Sequence, residues 1–323
     1  MRPAGKKHRP IDPMFGWSKK LFRTLHRWLQ RQQFAHARAH GGVRGRSCFT
    51  SAQQHLGHRF FWTRDAENCY PSITPAAFHQ EMLALGFPTD TAELLSLLAT
   101  VRNSVPQGSP LSNDALNLFF WRVDQVLASF CGQYDLAFSR IADDFVISGN
   151  NRAAGFGATR LVERLLDERG IRVNEKKRRK SGFRLREEKP QVHSILVHNR
   201  RGTTISDEHR KTAIAAAERY LAACKSVQPD SLEALACKRQ SVAGWMYYCR
   251  QAQFGPAIAV RRLLKAGDDV MRRKLTHLRL SAPKGKWWVV TKKRNEPRWL
   301  AMLWRRRVAI SSHNLETSAA TTN

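Results

Sequence analysis

The 323-residue chain is predicted to be an α+β protein, on three observations. Apolar, strand-like runs alternate with helix-like segments between residues 59 and 200, which points to a sheet carrying helices on one face. The run Arg140-Ile-Ala-Asp-Asp-Phe-Val-Ile-Ser-Gly149 sets two adjacent acids between strand-formers, and a tight hairpin presenting both at its tip resolves that conflict. From Ser206 onward the pattern is helical throughout.

In chain order, a basic run, Lys6-Lys7-His8-Arg9, precedes a helix from Trp17 to about Gln32, with Leu21, Leu25, Trp28 and Leu29 as its apolar stripe. Ala35–Arg46 is rich in Gly, His and Arg and reads as a loop over phosphates, Arg44 and Arg46 included. Arg59-Phe-Phe-Trp-Thr-Arg64 is a strand that ends at Asp65. A helix near Pro75–Leu85 follows. Val105-Pro-Gln-Gly-Ser-Pro-Leu-Ser112 is then a Pro/Gly turn entering a helix with Ala115, Leu118, Phe119 and Val123 on one face. Beyond the acidic hairpin a helix from about Gly157 to Arg169 buries Leu161, Val162, Leu165 and Leu166. Helices near 207–224, 231–251 and 256–275 complete the helical region. Ser206 with Asp207 and Glu208 caps the first, acids being favoured at the positive end of the helix dipole. Trp245, Met246, Tyr247 and Tyr248 are expected in the core of this region, or one of them against a nucleic-acid groove. The tail alternates cations with indoles, Trp287 and Trp288 among them. It either stacks on unpaired bases or docks on the preceding helices, and its last dozen residues are expected to be disordered.

Charge narrows the function. Lys and Arg outnumber Asp and Glu by 55 to 26, a formal net charge of +29. Such an excess repels itself unless a polyanion neutralises it, and nucleic acid is the obvious one. The charge is clustered rather than spread as a merely solvated surface: residues 1–46 hold twelve Lys/Arg against Asp12, and residues 279–307 ten against Glu296. No stretch of eighteen apolar residues is present and no apolar segment follows the basic N-terminus, so neither a membrane span nor a secretory signal is expected. The six cysteines form no Cys-x-x-Cys pair, which argues against zinc and disulfides and for a cytoplasmic protein with reduced thiols. Unpaired, Asp143 and Asp144 would repel each other. A hard divalent cation removes the repulsion, Mg²⁺ being the one suited to carboxylates and phosphate oxygens. The alternative is a plain exposed hairpin with an Asp-Asp turn.

Three motifs in order bear on that choice. They are Asp65 with an aromatic five residues on, Tyr70; Pro106-Gln107-Gly108-x-Pro110-x-Ser112; and Ala142-Asp143-Asp144. Together they resemble the palm of reverse transcriptases, of the bacterial retron type and its defence-associated relatives. Gly170-Ile-Arg-Val-Asn174-Glu-Lys-Lys177, Gln191–Val197 and Ser51-Ala-Gln-Gln-His55 extend the likeness to roughly residues 6–260. The resemblance implies a right-hand polymerase fold: a reduced, basic fingers-like region at 1–58, a palm at 59–200, a helical thumb at 201–276 and a basic Trp-rich extension at 277–323. It also implies an RNA-directed DNA polymerase, with two Mg²⁺ ions held by Asp65 and Asp143 and supported by Asp144.

In the same way the resemblance makes Tyr70 the sugar gate, or else a packing residue, and makes Gln107 and Gly108 contacts of the incoming deoxynucleotide. Lys177 would protonate pyrophosphate, or bind phosphate with its cationic neighbours Arg178 and Arg179, and Arg9 would touch the triphosphate. His193 lies in the hairpin that grips the primer, and His55 is either an RNA contact or a structural hydrogen-bonder. The implied partners are a dedicated noncoding RNA template, the DNA product, dNTPs and an effector or second polymerase subunit, in an anti-phage system. Ile141, Val192-His193-Ser194 and Ser51 depart from the family pattern, and the fingers start late. Two alternatives stay open: template-independent or protein-primed synthesis by the same site, and a non-catalytic RNA-binding scaffold.

Overall fold

A computed structural model describes residues 16–175, 190–198, 202–226, 232–252 and 256–277. The chain divides into two compact units, Met1–Thr204 and Ile205–Asn323. Each is a mixture or a bundle in keeping with its hydrophobic pattern: α+β in the first, helical in the second.

In the first unit, α1 (Gly16–Gln32) is followed by a loop and the short α2 (Cys48–Gln53). A reciprocal capping box between Ser47 and Thr50 starts α2. Strand β1 (Phe60–Asp65) leads through α3 (Cys69–Ser72) into α4 (Pro75–Ala84) and α5 (Thr89–Ala99). Thr74 caps α4, and Pro75 occupies the first turn, where a missing N–H costs nothing. Next come α6 (Ser112–Phe119), α7 (Trp121–Gln133), the hairpin β2 (Leu136–Ile141) and β3 (Asp144–Gly149), and α8 (Arg152–Asp167).

The sheet has the order β1-β3-β2, antiparallel throughout. Its centre is therefore β3, which the sequence marks as Phe145-Val-Ile-Ser-Gly149, buried along that whole run. Phe145 packs edge-on to Phe120 at 5.5 Å and stacks with Phe138 at 6.3 Å, tying the sheet to the helical layer. Almost every residue of α6 is buried. On the same face α8 presses Gly155 against Trp62, where an added Cβ would lie 2.1 Å from the indole. A smaller sheet, β4 (Gln191–Val192), β5 (Ile195–His198) and β6 (Gly202–Ile205), closes this part of the chain.

The second unit contains α9 (Asp207–Ser226), α10 (Leu232–Gln251) and α11 (Pro256–His277). The Ser206 hydroxyl accepts from the His209 backbone N–H, so the expected cap is made. Asp268 takes a bidentate pair of bonds from Arg239, at 2.8 and 2.9 Å, and one from Tyr220 at 2.7 Å, pinning all three helices together. Gly267 lets that contact close, since a Cβ there would meet the Tyr220 ring at 2.5 Å.

Several sequence expectations need correction. The apolar stripe of α1 is not buried as a whole: Leu29 is, whereas Trp17, Leu21 and Trp28 stand exposed. α8 starts at Arg152 rather than near Gly157, because the Asn151 side chain caps Ala154 and Gly155 fits a close helix–sheet contact instead of a break. Tyr247 is 66 % exposed; Val242 and Cys249 fill the core positions of α10, with Trp245 and Tyr248 half-buried against His209. The expected disorder of the last dozen residues lies outside the described residues.

Candidate active site

The β2–β3 connection is a two-residue turn, Ala142-Asp143, with Ile141 opposite Asp144. Ala142 sits at φ +52°, a left-handed conformation that costs an alanine roughly 1 kcal/mol. The neighbourhood holds it there. Arg140, fully buried, donates to the Ala142 carbonyl at 2.8 Å. The same guanidinium forks onto Asp124 at 2.8 and 2.6 Å, donates to Asn117 at 3.2 Å, and lies over the Phe120 ring at 5.1 Å. The loop before α2 closes the other side. Its backbone runs alongside β2, with His40 N–H donating to Arg140 O at 2.7 Å and Arg140 N–H to Arg38 O at 2.9 Å. Gly41 then abuts the turn so closely that a Cβ would meet the Ala142 nitrogen at 2.5 Å.

Asp65 is the last residue of β1 and pairs in register with Asp144. Directly opposed residues of an antiparallel pair project from the same face, so the two carboxylates share one side of the sheet. Asp143 occupies the turn beside them, and its carbonyl accepts from Ala66 N–H at 2.9 Å. Asp65 is buried, and Asn174 supports it twice: the side-chain amide donates to its carboxylate at 3.1 Å and the backbone N–H to its carbonyl at 2.8 Å. The nearby Cys69 thiol is pushed well up, by burial first and then by the charges of Asp143 and Asp65. Negative charge therefore converges at this end of the sheet.

At the tip of the β4–β5 turn, His193 and Ser194 both have positive φ, at 48° and 68°, as a two-residue hairpin with primed-turn twist requires. The turn delivers His193 onto the acids. Its Nδ1 lies 3.1 Å from the Asp144 carboxylate, and its buried Nε2 has no hydrogen-bond partner among the described residues. His193 is thus turned inward onto Asp144.

Other expected residues divide into those brought together and those not. The Tyr70 hydroxyl donates to Asn113 Oδ1 at 2.9 Å, at the start of α6, next to the Pro-Gln-Gly turn. Gly108 has φ +112°, which only glycine adopts readily, and the Ser112 hydroxyl donates to the Pro106 carbonyl to close the turn around half-buried Gln107. Gly42 packs on Asn113, linking the early loop to this pair. Arg44 is exposed, whereas Arg46 donates to the His36 and Ala39 carbonyls at 2.6 and 2.7 Å and so holds the loop together.

His55 has the surroundings of a structural hydrogen-bonder. It is fully buried, with Nδ1 2.7 Å from Ser148 Oγ and Nε2 2.7 Å from Ser139 Oγ. Burial drives its pKa well below the ordinary value, so the ring is neutral and works inside the sheet. Ser51 joins the same network through Ser139 at 2.8 Å. Arg9, Lys177, Arg178, Arg179, Trp287 and Trp288 lie outside the described residues.

Arg140, Asp124, Asn117 and Gly41 were missed by sequence reasoning. The first two carried a signal: an arginine on the inward phase of a buried strand and an aspartate on the apolar face of a helix demand each other.

Among the described residues no group of three or more His, Cys, Asp or Glu side chains is set as a finished metal cage. A small hard cation keeps waters and substrate phosphate oxygens in its shell and needs only one or two carboxylates from the protein, so opposed Asp65 and Asp144 with Asp143 beside them suit such an ion. No helix among the described residues is long and apolar enough to cross a membrane.

Comparison with known proteins gives the family. Residues 3–201 match the family model of the reverse transcriptase (RNA-dependent DNA polymerase). The retron Mx65 reverse transcriptase of Myxococcus xanthus is 29% identical over 62% of this chain and 54% of its own length. The retron Ec86 reverse transcriptase of Escherichia coli is 25% identical over 57% of this chain and 55% of its own. The chain thus spans about half the length of the curated relatives it matches. A solved telomerase from Candida tropicalis, in complex with a fragment of telomeric RNA, overlaps 81% of this chain and 46% of that one with TM-score 0.47 and 10% identity. With the family model covering most of the first unit and its curated relatives of the retron type, the chain belongs to the reverse transcriptase family.

Proposed function

We propose that the protein is an RNA-directed DNA polymerase that copies a dedicated noncoding RNA in the bacterial cytoplasm, as part of an anti-phage defence system. The observation that carries the reading is the in-register pairing of Asp65 with Asp144 on adjacent strands, with Asp143 in the turn between them. When bound, two Mg²⁺ ions would supply a deprotonated primer 3′-hydroxyl and neutralise the triphosphate. Asp65 and Asp143 are the residues to hold them, and Asp144 steadies the site. Asn174 fixes the Asp65 carboxylate and His193 that of Asp144, so neither swings away between cycles. Tyr70 would exclude a ribose 2′-hydroxyl, its bond to Asn113 setting the ring's orientation. Gln107 and the Gly108 turn would receive the base and sugar of the incoming dNTP, Gly108 letting backbone approach closely. Arg9, Lys177, Arg178 and Arg179 are proposed phosphate contacts, Arg44 a contact of the template backbone, and Trp287 and Trp288 a platform for unpaired bases. In domain terms residues 1–58 act as fingers, 59–200 as palm, 201–276 as thumb and 277–323 as an extension.

The test is to purify the full chain with its nucleic acid and sequence both the copurified RNA and the DNA made on adding dNTPs. DNA complementary to the RNA supports the reading. A homopolymer or simple repeat refutes templating, and the absence of DNA with retained RNA leaves a scaffold.

A further inference from the structure

We propose that the outward face of α1 is a binding surface for an unpaired stretch of RNA, with Trp17 and Trp28 stacking on bases and Arg27 and Arg31 on phosphates. The helix has two distinct sides. Inward, His26 Nδ1 and Gln30 Nε2 each reach a carboxylate oxygen of buried Asp114 at 2.6 Å, which anchors the helix on α6. Each of these residues is two positions from Trp28, roughly 200° round a helix, so the anchored side and the tryptophan side are opposed. Outward, Trp17 is 78 % exposed and Leu21 and Trp28 are each 49 % exposed. They fall four and eleven residues apart, on one stripe.

A covered core face does not look like this, and neither does a plain solvated one. Arg27 and Arg31, spaced by four, flank the indoles, one and three positions from Trp28. Gly16–Gln32 contains five Lys/Arg and no acid. The Trp28 ring continues inward to Phe34 at 6.1 Å, and Phe34 to Phe87 at 6.3 Å, so the platform is fixed rather than loose. Next to it Arg31, Phe34 and exposed Arg44 line an open cavity of about 520 Å³. Rigid indoles flanked by cations are the chemistry of single-strand recognition: aromatic faces accept any base while cations follow the backbone. A protein partner would have to bury these cations on a helix that holds no acid to pair them, whereas a polyanion neutralises them directly. RNA is the strand that a member of this family holds before any DNA exists. The inference does not depend on the roles of Asp65, Asp143 or Tyr70.

The experiment uses the full chain and an unstructured 15-nucleotide RNA carrying 4-thiouridine. Crosslinked peptides are mapped by mass spectrometry, and affinity is read by fluorescence anisotropy in one buffer of fixed salt. Crosslinks to the peptides bearing Trp17 and Trp28 are expected. Trp17→Ala with Trp28→Ala should weaken the RNA at least tenfold, and Trp17→Phe with Trp28→Phe should keep most of the affinity. Arg27→Gln with Arg31→Gln should flatten the dependence of affinity on salt. Equal thermal midpoints for wild type and variants establish folding; if the alanine pair fails to fold, the phenylalanine and glutamine pairs decide. Unchanged RNA affinity in the folded variants overturns the proposal. Equal weakening of an RNA duplex overturns stacking, and equal, tryptophan-dependent binding of the same sequence as DNA overturns the RNA assignment. Loss of binding to phosphatidylserine vesicles with RNA affinity intact makes the face a membrane contact and also overturns it.

Discussion

The carboxylates at the end of the β1–β3–β2 sheet differ in what supports them, and their substitutions should differ accordingly. Asp143 lies in a turn, so Asp143→Asn is expected to remove DNA synthesis by at least a hundredfold while shifting the thermal midpoint little. Asp65 is buried and accepts from Asn174, so Asp65→Asn should lose activity to the same degree and also cost a measurable amount of stability. Tyr70→Ala should admit ribonucleotides, since a 2′-hydroxyl needs the space of the ring and a close-packed site relaxes poorly. A change of ~1.4 kcal/mol in relative transition-state energy is tenfold in discrimination, read by single-nucleotide extension with dNTP and NTP. Equal rejection of NTP by wild type and variant would make Tyr70 a packing residue. That Asp65, Asp143 and Asp144 meet at one end of a sheet was legible in the sequence, because a strand end and a tight hairpin are local features. The inward turn of His193 was not, because it depends on a two-residue hairpin from a remote segment meeting Asp144. His55 stayed open between two readings for a related reason: a buried imidazole and an RNA-facing one look alike until Ser139 and Ser148 are placed around it.

The hairpin is held by its neighbours more than by its own turn propensity. Ala142 takes a left-handed conformation that glycine would adopt more readily, and Arg140, Asp124 and Gly41 keep it there. Removing one partner of the fully buried Arg140–Asp124 pair leaves an uncompensated charge, so Arg140→Ala should destabilise by about 3–5 kcal/mol in urea unfolding. Arg140→Lys should lose part of this, because an ammonium cannot fork onto the carboxylate and still reach the Ala142 carbonyl. A neutral outcome for both would mean that the tip is set by the strands alone. Helix and strand positions were mostly legible, since burial period and capping residues are local: Ser206, Thr74 and Pro75 fix their helix starts. α1 exposes what its period marks as a core stripe, because periodicity tells that a face is apolar without telling what covers it. The start of α8 was misread because glycines at 155 and 157 look like a break, whereas Gly155 makes room for Trp62.

Over the whole chain the balance of charge and histidine predicts acid sensitivity. Burial holds His36, His40, His55 and His58 below their ordinary 6.5, His40 at about 4. Their folded values lie below the unfolded one, so the native state binds fewer protons. The stability they contribute is complete above about pH 6.5 and is lost as pH falls toward the folded values. Asp114, raised by its burial, works in the opposite sense over the lower part of that range and offsets only part of the loss. A net charge of +29 adds self-repulsion, which grows as histidines protonate. The thermal midpoint should therefore drop between pH 7 and pH 5, and drop less when a polyanion is present; a flat profile would show that these rings titrate alike in both states. The most direct test of the central claim is primer extension on a defined RNA template with dNTPs, comparing wild type with Asp143→Asn-Asp144→Asn at matched folding. Complementary DNA from wild type and none from the variant is the predicted result. Equal product from both, or wild-type product unrelated to the template, would contradict it.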